Sequence, residues 1–146
     1  MQVIEYRRAL HRIPELDRDL PETLAYLRSV LEPLGCALFS PIPGALCAFF
    51  DFGKADAIAF RSDADALPIQ EQTGLPFAST HPGKMHACGH DGHMSMVLDL
   101  AVWLDSQNDL KHNVLLIFQP AEETTGGAKD LCQSGVFEQY NVTCLF

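Results

Sequence analysis

The chain has 146 residues, of which 47% are hydrophobic and 20% are charged, a composition typical of one globular domain rather than of a disordered segment. Its net charge of −9 argues against a nucleic-acid partner, because binding to phosphates requires a basic face. No apolar run is long enough to cross a bilayer, and the first residues lack the apolar core of a signal peptide, so neither a membrane partner nor secretion is expected.

The first half of the chain predicts two helices followed by two strands. Apolar residues at helical spacing predict a helix over residues 3–12, stopped by a proline. A second helix is predicted to begin near Pro21 and to end at Gly35. Two short apolar runs, 45–52 and 55–62, then predict largely buried strands.

The second half alternates between helices and strands. A segment rich in Pro, Gly and Thr, residues 67–84, predicts a long loop, which in a compact domain is usually functional or mobile. The elements predicted after it are a helix over 90–104, a strand over 114–118, a short helix to about residue 133 and an apolar strand over 142–146. This alternation predicts an α/β layered sheet with ligand sites in the loops beyond the strand ends.

The five cysteines are odd in number, widely spaced and without a Cys-x-x-Cys pair. This pattern is typical neither of a disulfide framework nor of a zinc ribbon, and it fits a reducing cytoplasm. Cys88 lies among polar residues, whereas the other four lie in apolar surroundings and are predicted to be small buried thiols. Those four are Cys36, Cys47, Cys132 and Cys144.

The segment 85–93 holds three histidines, a cysteine and an aspartate. Cys88 and His90 are separated by one glycine, so in an extended segment their side chains point to the same face. A thiolate and an imidazole are good ligands for a divalent ion, with zinc the best match, and Asp91 or His86 could orient them. Two alternatives remain open: these are ordinary loop histidines with a helix-capping aspartate, or Cys88 is a nucleophile activated by a histidine.

Carboxylates follow two of the predicted strands. Glu122 and Glu123 are adjacent, and on an extended chain they face opposite ways, so one could bind a metal while the other takes a proton from water. Asp63 and Asp65 are spaced onto one face, where they could bind or orient a ligand, and Arg61 could pair with one of them. Solvated glutamates in a turn, and aspartates that stabilise a strand end, are the alternatives.

Four segments of this chain resemble the M20 metallopeptidase family, specifically its amidohydrolase branch. They are residues 7–16, 61–68, 85–94 and 118–123, which in this order extend over nearly the whole chain. The resemblance implies a three-layer, zinc-peptidase-like α/β catalytic domain with a central mixed sheet. It also implies a metal-dependent hydrolase that cleaves the amide bond between an acyl group and an amino acid.

By this resemblance, Cys88, His90 and Glu123 are metal ligands, and Glu122 is the general base that activates water. Asp63 and Asp65 support the site. The implied cofactor is a divalent metal, zinc or manganese with nickel and cobalt as alternatives, and complete family members hold two ions. The implied substrate is an N-acyl amino acid or a short peptide, and a homo-oligomer is a further expectation.

Family members also use a histidine after a strand resembling 142–146, a second histidine near the far C-terminus, and an inserted lid domain for dimerisation. The chain stops before all three, inside or at the end of an apolar run. We therefore expect residues 1–146 to be the N-terminal part of a catalytic domain, incomplete at its C-terminus, which binds metal weakly and hydrolyses little. A non-catalytic metal-binding or interaction remnant is the alternative.

Overall fold

The structure, a computed structural model, describes residues 2–146. The helices within this range are α1 (Gln2–Arg12), α2 (Pro21–Leu31), α3 (His90–Asp105), α4 (Gly127–Gln133) and α5 (Val136–Gln139). The strands are β1 (Ala37–Phe39), β2 (Leu46–Phe50), β3 (Ala57–Asp63), β4 (Asn113–Gln119) and β5 (Val142–Leu145). Among the described helices, none combines the length and the apolar character that crossing a membrane requires.

The five strands form one mixed sheet in the order β1-β2-β4-β3-β5. β3 runs parallel to both of its neighbours, whereas β2 is antiparallel to β1 and to β4. At the ends of the parallel pair β3–β4, Asp63 lies opposite Gln119. The segments that follow these two strands therefore leave the sheet at the same edge, where the ligand sites of α/β sheets lie.

Helices cover both faces of this sheet. β4 is buried along its whole length, with Val114, Leu116 and Phe118 in the core under α1, α2 and α3, and with Leu115 and Ile117 in the core under α4 and α5. This alternation is the period of a strand whose two faces are both buried. The predicted α/β fold, with three layers around a mixed sheet, is confirmed.

Predicted and observed element ends differ most at α2. The sequence predicted a helix that ends at Gly35, but α2 ends at Leu31. Pro33 explains the earlier end, because proline has no N–H to continue the helical ladder and its ring clashes with the preceding turn. The other helices and strands that the sequence predicted begin and end within two residues of the expected positions.

The two ends of the sheet depart from prediction. β1 and α5, of three and four residues, were missed because so few residues show no periodicity. The predicted last strand is present as β5, but it lies at the sheet edge and is largely exposed rather than part of the core. Phe146, directly after it, is 68% exposed.

The prediction of four buried cysteines is half wrong. Cys47 is buried in β2 and Cys36 is half-buried, but Cys132 and Cys144 are exposed. Cys132 is exposed because the short helix α4 buries only its side around Leu131. Cys144 is exposed because it lies on the edge strand β5.

The segment predicted as a long loop, 67–84, contains neither helix nor strand, as expected. Its two ends are joined by a pair of backbone hydrogen bonds of 3.0 Å between Leu67 and Met85. It is also attached to the end of α1, since the Thr80 amide donates to the Arg12 carbonyl at 2.8 Å. The loop therefore returns the chain to the sheet edge just before α3.

Candidate metal centre

The two predicted carboxylate pairs meet at the edge of the sheet where β3 and β4 end. Asp63 is the last residue of β3, and Asp65 follows it in a buried segment. Glu122 and Glu123 follow β4 in a turn. The parallel register of the two strands brings these pairs together although they are almost sixty residues apart in sequence.

Cys88 reaches the same edge from the loop before α3. It is separated from His90, the first residue of α3, by Gly89, which caps the helix with φ 112° and ψ 14°. This φ is strongly disfavoured for a residue with a Cβ. The chain therefore bends at Gly89 instead of continuing extended, and it still brings the Cys88 Sγ and a His90 ring nitrogen within 4.8 Å of each other.

The orientation of the His90 ring is set by a backbone carbonyl. Its Nδ1 lies 2.8 Å from the carbonyl oxygen of Asp65, and because a carbonyl only accepts, Nδ1 carries the proton. In the neutral ring, the other nitrogen, Nε2, then has a free lone pair. It faces both glutamates, at 3.8 Å from Glu122 Oε2 and 3.9 Å from Glu123 Oε1. A backbone bond of this kind is the usual support of a metal-binding histidine.

One sulfur, one nitrogen and one oxygen donor converge beside this ring. Atoms of Cys88, His90 and Glu123 all lie within 4.8 Å of one another. The Glu123 Oε1 is buried and makes no hydrogen bond within the described chain. Because burying an unbonded carboxylate oxygen is costly, this donor set fits a divalent cation.

The glutamate pair is arranged differently from its prediction. We expected an extended chain with Glu122 and Glu123 facing opposite ways, but they lie in a turn and both reach the His90 ring. The reason is Ala121, which precedes them with φ 58° and so turns the chain away from the strand direction. The sequence gives no sign of this conformation, since alanine rarely adopts it.

Asp65 holds this turn from inside the protein. Its carboxylate is completely buried, and its two oxygens accept hydrogen bonds from the backbone amides of Glu122 and Glu123, each at 3.1 Å. Its backbone carbonyl orients His90. One residue therefore supports both sides of the candidate centre, although it does not point a free oxygen at it.

Asp63, which was predicted to bind or orient a ligand, lies close to these donors. It forms a second group with His90 and Glu122, whose donor atoms are within 4.8 Å of one another. Asp63 Oδ2 accepts a hydrogen bond from Arg61 at 2.8 Å, the pairing that the sequence suggested, while Oδ1 is buried without a partner in the described chain. Burial raises the pKa of Asp63, an effect that Arg61 and His90 oppose.

Asp91 bonds to side chains outside the centre, and His86 is buried with neither ring nitrogen hydrogen-bonded in the described chain, so neither residue orients Cys88 or His90 by a side-chain hydrogen bond. Asp91 is completely buried and accepts hydrogen bonds from His11 Nδ1 at 2.7 Å and from Arg7 Nε at 3.3 Å. His11 in turn contacts the buried carboxylate of Glu71 through Nε2, at 3.3 Å. Neither His11 nor Glu71 was predicted to take part, and the only sign in the sequence is that His11 lies in the family-like segment 7–16.

The surroundings of Cys88 do not favour a nucleophile. Although Cys88 is exposed, partial desolvation and the negative charges of Glu123, Glu122 and Asp63 raise the pKa of its thiol. A reactive cysteine needs the opposite, a lowered pKa beside positive charge. A bound cation would reverse this balance, because coordination removes the thiol proton.

The chain is similar to several known hydrolases. An uncharacterized hydrolase of Staphylococcus epidermidis is 42% identical over 144 residues, which is 97% of this chain and 38% of that protein. The N-acetyldiaminopimelate deacetylase of Lactobacillus helveticus is 42% identical over 143 residues, or 94% of this chain and 37% of its own. The chain thus spans well under half the length of the curated relatives it matches.

A solved structure shows the same fold. The YxeP protein of Bacillus subtilis, described as a dinuclear metal binding peptidase from the M20 family, superposes with a TM-score of 0.91 at 40% identity, over 99% of this chain and 41% of its own. The model of the family described as Peptidase family M20/M25/M40 matches residues 59–146, more than half of the chain, including every donor residue of the centre. The chain belongs to peptidase family M20/M25/M40.

Proposed function

We propose that residues 1–146 form the N-terminal part of the catalytic domain of a metal-dependent amidohydrolase, whose lid domain lies outside these residues. The reaction is hydrolysis of the amide bond in an N-acyl amino acid or a short peptide. The observation that carries this proposal is the approach of Cys88, His90 and Glu123 to within 4.8 Å, with Glu122 beside them. The similarity to an N-acetyldiaminopimelate deacetylase supports an acylated amino acid as substrate.

The donor set determines the proposed cofactor. A thiolate, an imidazole and a carboxylate suit zinc best by softness, with manganese as the second choice and nickel and cobalt as alternatives. The two groups of donors share His90, whose Nδ1 is already bonded to a carbonyl, so only one of its nitrogens is free for an ion. These residues therefore complete no dinuclear site by themselves.

The side chains divide the chemistry as follows. When bound, a divalent ion supplies a Lewis acid that polarises the amide carbonyl and makes water more acidic. Glu122, whose side chain is 42% exposed, accepts the proton from water and passes it to the leaving amine. Asp65 fixes the backbone of Glu122 and Glu123, and it orients His90. Asp63, Asp91 and His86 support these groups.

The number of donors limits the activity of this chain. A zinc ion takes about four ligands, whereas Cys88, His90 and Glu123 supply three. We therefore propose weak metal binding and little or no turnover by the 146-residue polypeptide. We also propose that the enzyme is cytoplasmic and homo-oligomeric.

Metal binding and hydrolysis test different parts of this proposal. Titration with Zn²⁺ and Mn²⁺ should show binding that falls at least about tenfold in Cys88→Ser and Glu123→Gln. Glu122→Gln should keep the affinity but lose any hydrolysis of an N-acetyl amino acid. Cys132→Ser, at an exposed cysteine outside the centre, is the matched control and should change neither.

Three results would contradict the proposal. If the affinity for Zn²⁺ and Mn²⁺ does not fall in Cys88→Ser, the proposed metal centre is wrong. Turnover that resists chelators but stops on thiol alkylation would indicate a cysteine-dependent hydrolase. Rapid turnover by the wild-type chain, abolished by Glu122→Gln, would show that three donors suffice.

A further inference from the structure

The backbone just before the two glutamates is held in a conformation that its residue type disfavours. Ala121 is completely buried and has φ 58°, in the left-handed region where the Cβ of an alanine meets the following carbonyl. Such a residue persists only where its surroundings hold it, and it often occurs at functional sites. Here it directs the following turn, residues 121–126, which we call the acidic turn.

Hydrogen bonds fix Ala121 on both sides. Its amide donates to the backbone carbonyl of Asp17 at 3.0 Å, and its carbonyl accepts from the amides of Gly126 at 2.8 Å and Gly127 at 3.2 Å. Asp17 itself has φ 57°. Two non-glycine residues in the left-handed region therefore face each other across this contact.

The side chain of Asp17 also bonds to the acidic turn. Its Oδ1 accepts hydrogen bonds from Thr124 Oγ1 at 2.5 Å and from Thr125 Oγ1 at 3.5 Å. The neighbouring Arg18 donates to Thr125 Oγ1 at 3.1 Å and pairs with Asp130 of α4 at 2.7 Å. Residues 17 and 18 thus bond to the threonines of the turn, whereas Asp65 bonds to the amides of its glutamates.

The loop at Gly44 packs closely against the segment that contains Asp17. A Cβ at Gly44 would lie 2.6 Å from the backbone carbonyl of Arg18, so the loop at Gly44 presses directly on this segment. The segment is also closed on itself by a hydrogen bond of 3.2 Å from the Asp19 amide to the Leu16 carbonyl. The contact with the acidic turn is therefore made by a hydrogen-bonded turn that packs against a second loop.

We propose that Asp17 is a positioning residue for Glu122 and Glu123. Its carbonyl holds Ala121 in the left-handed region, and its carboxylate holds Thr124, so the turn between them presents both glutamates to His90. Within the described residues, Asp17 makes no hydrogen bond to the donor side chains, so we expect it to act through this turn. The inference rests on the proposed function, because it concerns the same two glutamates.

The test compares the carboxylate of Asp17 with a neighbouring carboxylate that has no such contact. Asp17→Ala and Thr124→Val each remove the side-chain bond, whereas Asp17→Asn and Thr124→Ser keep an acceptor and a hydroxyl. Asp19→Ala is the charge control, since it removes the same charge two residues away, at an exposed side chain that makes no hydrogen bond in the described chain. Thr124→Val removes the bond without placing alanine at the φ of 57° of residue 17. Each variant is made in the full 146-residue chain.

The first measurement is amide hydrogen exchange by NMR without metal. The amides of Glu122 and Glu123 should exchange about fivefold faster in Asp17→Ala and in Thr124→Val, the effect of one lost hydrogen bond. The double variant should exchange no faster than either single variant. Asp17→Asn, Thr124→Ser and Asp19→Ala should resemble the wild type.

The second measurement is the affinity for Co²⁺, followed by the absorption of the cobalt–thiolate bond. Asp17→Ala and Thr124→Val should bind Co²⁺ about tenfold more weakly, and the two conservative variants should restore the affinity. Unchanged exchange at Glu122 and Glu123 in Asp17→Ala, or an equal change in Asp19→Ala, would overturn the inference. If the wild type binds no Co²⁺, the proposed function fails, while the exchange rates still decide the role of Asp17.

Discussion

The buried imidazole of His86 should make the wild-type chain less stable in mild acid, and replacing it with an apolar side chain should abolish this pH dependence. His86 is 4% exposed, and neither of its ring nitrogens has a hydrogen-bond partner in the described chain. Burial lowers its pKa from 6.5 to about 4. Between these two values the unfolded chain binds a proton here and the folded chain does not, so stability rises with pH and is lost as pH falls below about 6.5.

The size of this effect follows from the width of the window. One pKa unit corresponds to about 1.4 kcal/mol, so the change from pH 7 to pH 5, which crosses about 1.5 units of the window, should cost about 2 kcal/mol. The measurement is urea denaturation of the metal-free chain at both pH values, for the wild type and for His86→Leu. Since neither ring nitrogen of His86 is hydrogen-bonded, replacing it with leucine removes no hydrogen bond.

The wild type should lose about 2 kcal/mol more than His86→Leu between the two pH values. Asp63, whose pKa burial raises, contributes with the opposite sign, but it does so in both proteins and cancels in the difference. The control is His93→Leu, at an exposed histidine, which should lose as much stability between pH 7 and pH 5 as the wild type does. If His86→Leu loses as much stability as the wild type, the reasoning from burial is wrong.

Three further predictions concern the backbone and the thiol. Gly127→Ala should lower the free energy of unfolding by more than about 2 kcal/mol in urea denaturation, because the new Cβ would lie 2.1 Å from a backbone carbonyl oxygen. Gly92→Ala is the control: a Cβ there meets open space, so this variant should be neutral or stabilising. Gly89→Ala should cost about 1–3 kcal/mol by the same assay, because of its φ of 112°. Cys88 and Cys132 are both exposed, but without metal Cys88 should be alkylated more slowly, because desolvation and the neighbouring carboxylates raise its pKa. Peptide mapping would show the difference.

Local periodicity was sufficient to predict most of the fold. The helical stripe of α3 and the continuous apolar run of β4 each bury the residues that their pattern indicated. The order of the strands was not predictable in the same way, because β2 pairs with β4 rather than with β3, its neighbour in sequence. Such a pairing depends on packing between distant segments, which no short window of sequence records.

The candidate centre was predictable in composition but not in shape. The residues Cys88, His90 and Glu123 could be chosen because sulfur, nitrogen and oxygen donors in family-like segments indicate a metal. The turn that brings the glutamates together depends instead on the left-handed conformation of Ala121 and on Asp17, more than one hundred residues away. The residues of an alanine–glutamate–glutamate segment are compatible with many conformations, and only tertiary contacts select this one.

The negative charge of the centre connects its chemistry to its stability. Asp63, Asp65, Glu122 and Glu123 lie at one sheet edge, and only Asp65 has both of its oxygens bonded to backbone amides. The same negative potential that raises the pKa of Cys88 also disfavours the folded state, because like charges repel. A cation that binds only the folded chain relieves both effects, and at about one hundred times its Kd it adds about 2.7 kcal/mol to stability. Even a weak site of this kind therefore contributes measurably to the stability of the folded chain. The same carboxylate charges favour cation binding and raise the pKa of the thiol.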